Sequence, residues 1–267
     1  LTYGLVRLPG GVFGFLMWAG LPMALAAWGM SADAGRANAV ISLVNLPVLI
    51  LSPLAFVLLP RLSLAQVQGE DAEVVRFLGS GLRALWELQL PCTVTLAVLL
   101  GPLLEVWLGF SSAEFLVVGQ WMIAAIPAVA LFLFVRPALD ARAVIPYAVL
   151  GQGAGLVAGV AWLILSENSR DLVGLGIAFF LAQTVAAVVA LFSCYRLHAA
   201  EWQIPWARLG LQAAPLALGV VVIDRFGLSP VTALFWGGML LVYGGVLWRT
   251  QSPVVEAAVQ FAARWRR

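Results

Sequence analysis

Long apolar runs alternate with short polar breaks along the whole chain. Eight runs are nearly free of charge, at about 8–29, 37–60, 84–108, 115–135, 143–166, 172–195, 207–226 and 228–248. Each is long enough to cross a hydrocarbon core of about 30 Å as a helix, which takes roughly 20 residues. No ionisable residue stands at the centre of a run. Glu87, Glu105, Arg208, Asp224 and Arg225 stand near run ends, where a side chain can reach the interface. The pattern predicts an all-α, polytopic membrane helix bundle of about eight transmembrane helices.

The second run, ANAVISLVNLPVLILSPLAFVLLPRLS from Ala37 to Ser63, is the most informative. Asn38, Ser42, Asn45 and Ser52 fall at i, i+4, i+7 and i+14, on one face of a helix. Amides facing lipid are costly, so this face should meet other helices or water. Two readings stay open: interhelical hydrogen bonding, or the wall of a hydrated cavity.

The first run is soft. Gly10, Gly11, Gly14 and Gly20 lower helix propensity, and Pro22 removes a backbone hydrogen bond near mid-membrane. Gly20 and Pro22 are therefore candidate hinge residues, with an ordinary proline kink as the alternative. The fifth run carries Gly151, Gly155 and Gly159, a spacing that lets two helices approach closely. Between the second and third runs, residues 70–85 place Val74, Leu78, Leu82 and Leu85 on one stripe, which predicts an interfacial helix running into the third span.

Charge sets the orientation. All fifteen basic residues are arginine. With eight spans, twelve lie on the side of the termini, and Arg36, Arg170 and Arg225 are the three on the other. The positive-inside rule then makes both termini cytoplasmic. The end of the chain, PVVEAAVQFAARWRR, reads as a cationic amphipathic helix for an anionic membrane surface. Trp202 and Trp206 suit the headgroup level, and His198, the single histidine, lies in the same loop.

Composition removes whole function classes. With 63% hydrophobic and 10% charged residues, a soluble domain is excluded. The two cysteines, Cys92 and Cys194, lie in apolar runs and suggest neither a disulfide framework nor a metal site. No nucleophile–base pair, carboxylate pair or phosphate-cradling glycine loop is visible, so neither an enzyme nor a cofactor is expected. The chain begins with Leu1 directly before a span and reads as the back part of a longer protein.

Two stretches carry a family resemblance. YGLVRLPGG near the start resembles the entry to the second half of bacterial polysaccharide (O-antigen type) flippases. The run SPLAFVLLPRLS, then GEDAEVVRFLGSGLRAL, then LPCTVTLAVLLGPLLEVWLG is similar both to that family and to the MviN-like lipid II flippases. Both belong to the multidrug/oligosaccharidyl-lipid/polysaccharide exporter superfamily, and the likeness covers about residues 1–110.

The resemblance implies two six-helix lobes around a central cavity. This chain would supply the second lobe as a bundle over 1–200, two additional transmembrane helices over 201–250 and the cationic cytoplasmic tail over 251–267. The first lobe would come from a separate chain, a second copy or a part missing here. The implied activity is translocation of an undecaprenyl-diphosphate-linked oligosaccharide across the bacterial inner membrane. Asn38, Ser42 and Asn45 would then bind sugar hydroxyls and Arg7 the diphosphate, with a positive-inside anchor as the alternative for Arg7. Membrane lipids and polysaccharide-assembly proteins are the expected partners; nucleic acid is not.

Two departures qualify the likeness. The lipid II branch has an arginine near the position of Ser42, which favours another lipid-linked glycan here. Acidic residues, common inside the spans of drug/cation antiporters, are missing from span centres. The rivals are such an antiporter, a membrane-embedded glycan polymerase or ligase, and a non-transporting scaffold.

Overall fold

The computed structural model describes residues 2–69, 71–109, 112–142, 146–166, 171–197 and 230–249. Among them there is no strand. The described residues form eight helices: α1 Thr2–Ala27, α2 Ser31–Val67, α3 Asp71–Leu108, α4 Ala113–Ala124, α5 Ile126–Arg142, α6 Tyr147–Leu165, α7 Leu172–Leu197 and α8 Pro230–Arg249.

Among the described residues five stretches are long and apolar enough to span: Arg7–Ala27, Val74–Leu108, Ala113–Ala141, Tyr147–Leu165 and Leu172–Leu197. They coincide with the first and the third to sixth apolar runs. The second run falls on α2, of whose residues 50–59 only the helical backbone is described. The eighth run corresponds to α8. The expected seventh run, the tail over 251–267, Trp202, Trp206 and His198 lie outside the described residues. The protein is a multi-pass membrane protein, helical throughout its described elements.

Local chemistry explains where the helices stop. Gly29, Gly69 and Gly109 take left-handed backbone angles, with φ of 79°, 74° and 62°, just beyond α1, α2 and α3. At the end of α1 the Met30 N–H donates to the Leu25 carbonyl at 2.9 Å and the Gly29 N–H to Ala26 at 3.0 Å, which satisfies carbonyls the helix leaves open. Ser112 caps α4 by accepting from the Phe115 N–H at 3.2 Å, and Asp171 caps α7 by accepting from Gly174 at 2.6 Å. Pro127 has no N–H, and one non-helical residue, Ala125, separates α4 from α5 within the fourth span.

Small residues make α7 the central helix, packed on α1, α4, α5 and α6. Ala178, Ala182, Ala186 and Ala190 are buried at four-residue spacing along it. They face the glycine series of α6. A Cβ on Gly151 would stand 2.9 Å from the Ala186 carbonyl oxygen and one on Gly159 3.0 Å from that of Ala178, while Gly155 lies closest of all, against the Ala182 carbonyl. Gly176 meets α4 in the same way, at 3.1 Å from the Val118 carbonyl oxygen. The close helix contact expected from the glycine spacing is present, and its partner is α7.

The stripe on residues 70–85 has a different partner from the one expected. From Asp71 on, these residues form the first part of α3, a single helix of 38 residues, about 55 Å long at 1.5 Å per residue. Val74, Leu78, Leu82 and Leu85 are all buried. Val74, Leu78 and Leu82 pack in one cluster with Leu62, Phe132, Val135 and Leu139. The stripe thus joins the protein core, because α5 offers a complementary apolar face. Glu87 also departs from expectation: its carboxylate is fully buried, with Arg83 Nε at 2.9 Å, instead of reaching the interface. The Tyr243 hydroxyl donates to the Glu87 carbonyl at 2.7 Å and ties α8 to α3.

Candidate functional site

A polar cavity of about 280 Å³ lies where α1, α2, α5, α6 and α7 converge. Its polar lining consists of Asn45, Arg136, Gln152 and Gln183, with Trp18 and Phe15 among the rest of the wall. In a bundle this apolar, four hydrogen-bonding side chains from four helices in one cavity define the strongest candidate site.

The glycines of α1 form its floor. A Cβ on Gly10 would stand 3.1 Å from Gln152 Oε1, and one on Gly14 3.0 Å from Gln152 Nε2. The Gln152 amide therefore lies across the bare backbone of α1, and the glycines that weaken this helix make room for it. Gln183, only 5% exposed, has no hydrogen-bond partner for its Nε2. An unmet buried donor is costly, so a donor kept at a cavity wall is suited to a ligand or to water.

One end of the cavity carries the charge. Asp140 is shared by two arginines, with Arg7 Nη1 3.5 Å from Oδ1 and Arg136 Nε 3.4 Å from Oδ2. Arg7 also donates to the Asp140 backbone carbonyl at 3.2 Å. Among the described residues that line the cavity, Arg136 is the single ionisable one. The arrangement can hydrogen-bond neutral groups along its length and hold an anionic group at the arginine end.

Of the residues singled out from sequence, Asn45 lines this cavity and Arg7 reaches its charged neighbour, Asp140. Asn38 and Ser42 do not line it. Both are exposed on the outer side of α2, and the Ser42 hydroxyl donates to the Asn38 carbonyl at 3.0 Å. That outer face continues as Leu46 and Leu49, 52% and 66% exposed, so its polar part ends at the second helical turn. The candidate hinge lies within unbroken helix: α1 runs through Pro9 and Pro22. Gly20 borders a separate apolar crevice between α1, α6 and α7, and a Cβ there would meet nothing within 4 Å.

Sequence reasoning passed over Arg136 as an orienting charge and passed over Gln152 and Gln183 entirely. A search for uncharged amides inside apolar runs would have found both glutamines. Among the described residues no group of His, Cys, Asp and Glu is placed to hold a metal ion. No protein-family model matches this chain, and no curated protein matches it.

Proposed function

We propose that the chain is one half of a bacterial inner-membrane flippase for an undecaprenyl-diphosphate-linked oligosaccharide, with both of its termini cytoplasmic. The observation that carries this reading is the polar cavity: Asn45, Gln152 and Gln183 offer neutral hydrogen bonds, and Arg136, beside Arg7, offers cationic ones. A sugar head matches the amides and a diphosphate matches the arginines. The lipid tail stays in the bilayer, so the protein needs to shelter only the polar head.

In this account Asp140 holds Arg7 and Arg136 together until a diphosphate competes for them. Asn38 and Ser42, on the outer side of α2, face the missing first lobe, whether that is a preceding part of a longer protein, a separate chain or a second copy. Gly20 and Pro22 are the points at which α1 bends between inward- and outward-open states. No cofactor enters; the protein contributes binding and alternating access rather than chemistry.

A cation exporter fits less well, because no carboxylate lines the cavity among the described residues. The test is transport in vesicles containing the chain, alone and with any first-lobe partner that co-purifies. A fluorescent undecaprenyl-diphosphate oligosaccharide should exchange between leaflets faster than in protein-free vesicles, and Asn45→Leu should slow it. Efflux of a cationic dye without glycan exchange would favour the antiporter instead.

A further inference from the structure

We infer that a second site, separate from the polar cavity, takes an uncharged lipid alcohol from the bilayer. A cavity of about 340 Å³ lies between α3, the α4–α5 junction and α7, within the size range of small-molecule sites, about 300–1,000 Å³. Its wall is apolar, formed by Leu82, Leu85, Leu131, Ala187 and Val188 among others. Into it come Trp86 and Gln89 from α3 and Thr184 from α7. Trp86 Nε1, Gln89 Oε1 and Thr184 Oγ1 are all buried and all without a hydrogen-bond partner.

Three such atoms at one cavity call for an explanation, since buried polar groups are normally paired. Apolar residues would fill this position at lower cost in a membrane. Their chemistry defines what would satisfy them. The indole N–H donates, the amide oxygen accepts and the threonine hydroxyl does either. A hydroxyl group has the complementary chemistry for each: it can accept from Trp86, donate to Gln89 and do either with Thr184. Among the described residues no ionisable side chain lines the cavity, so a charged headgroup would find no counter-charge from them. The mouth faces outward: Val188 in the wall is 57% exposed. An alkyl chain can therefore lie along the bundle surface with its hydroxyl inside. Neighbouring residues of α7 serve different cavities, Gln183 the glycan cavity and Thr184 this one.

The test uses the full chain in lipid nanodiscs and hexadecanol carrying a photoactivatable diazirine. Crosslinks should map to α3 and α7 peptides, saturate, and be competed by unlabelled hexadecanol. The methyl ether of hexadecanol, which cannot donate, should compete about fivefold less well. The double variant Gln89→Leu/Thr184→Val should weaken labelling about tenfold or more. Trp86→Phe, which keeps the ring and removes only the N–H, should weaken it about fivefold and decides the matter if the double variant fails to fold. Labelling that does not saturate, or that neither variant changes, or an ether as effective as the alcohol, would overturn the proposal and leave the cavity to water.

Discussion

Gln152 and Gly14 are a matched pair: the amide nitrogen of Gln152 stands 3.0 Å from where a Cβ on Gly14 would be. A glycine that costs α1 about 0.5–1 kcal/mol relative to alanine is thereby used to admit a polar side chain from α6. Gly14→Leu should displace the amide and fill the polar cavity. Glycan transport should fall about tenfold or more while the melting temperature changes little, because the displaced atoms are the far end of a flexible side chain. Gly35→Ala, where a Cβ meets nothing within 4 Å, is the control and should leave transport unchanged while stabilising slightly. Thermal unfolding and transport measured on the same preparations separate the two.

Gly20 tests the hinge. A methyl group there has open space around it, so Gly20→Ala should fold as well as the native chain or better. If α1 bends at Gly20 and Pro22 during transport, the rate should drop severalfold without loss of stability. Transport at the native rate would remove the hinge assignment.

The contact between α6 and α7 should be far less tolerant. Gly155→Ala puts a methyl group against the backbone carbonyl of Ala182, which cannot rotate away. Overpacking of this kind costs about 1–3 kcal/mol. Gly153→Ala, whose nearest neighbour is the Phe13 ring at 3.2 Å, should cost clearly less. Comparable unfolding temperatures for the two variants would contradict the packing described for α6 and α7.

Arg136 should matter for the ligand and little for the fold. Its side chain is 48% exposed, and its pairing with Asp140 at 3.4 Å contributes no more than about 1 kcal/mol at such exposure. Arg136→Gln should nevertheless weaken binding of undecaprenyl diphosphate about tenfold or more, since a charge-assisted contact to phosphate is lost. A titration in nanodiscs, with undecaprenol as the uncharged comparison, reads this directly. Equal loss for the alcohol and the diphosphate would mean that Arg136 does not meet the anionic group.

Much of the bundle was legible because a membrane imposes strong rules. Runs without charge became helices at Arg7–Ala27 and Leu172–Leu197, and the Gly151, Gly155, Gly159 series became a close helix contact. What could not be read was which partner a face meets. Val74, Leu78, Leu82 and Leu85 looked the same whether they were to meet lipid or α5, since both are apolar. The polar stripe had the converse difficulty: Asn38, Ser42 and Asn45 share a face by spacing, yet the bundle wraps only the last of them into a cavity. Gln152 and Gln183 went unread because each is a single amide in an apolar run, and only the crossing of α6 and α7 beside α1 brings them together.

The central claim is that the cavity of Asn45, Arg136, Gln152 and Gln183 receives the head of a lipid-linked glycan. Its most direct measurement is substrate protection of single cysteines at 45 and 183, in a chain whose own Cys92 and Cys194 are replaced. A small hydrophilic thiol reagent should label both positions and should fail at Val44, which is fully buried. Saturating undecaprenyl-diphosphate oligosaccharide should slow labelling at 45 and 183 about tenfold, and undecaprenol should not. Labelling that is missing at both positions, or that the glycan lipid leaves unchanged, would contradict the account.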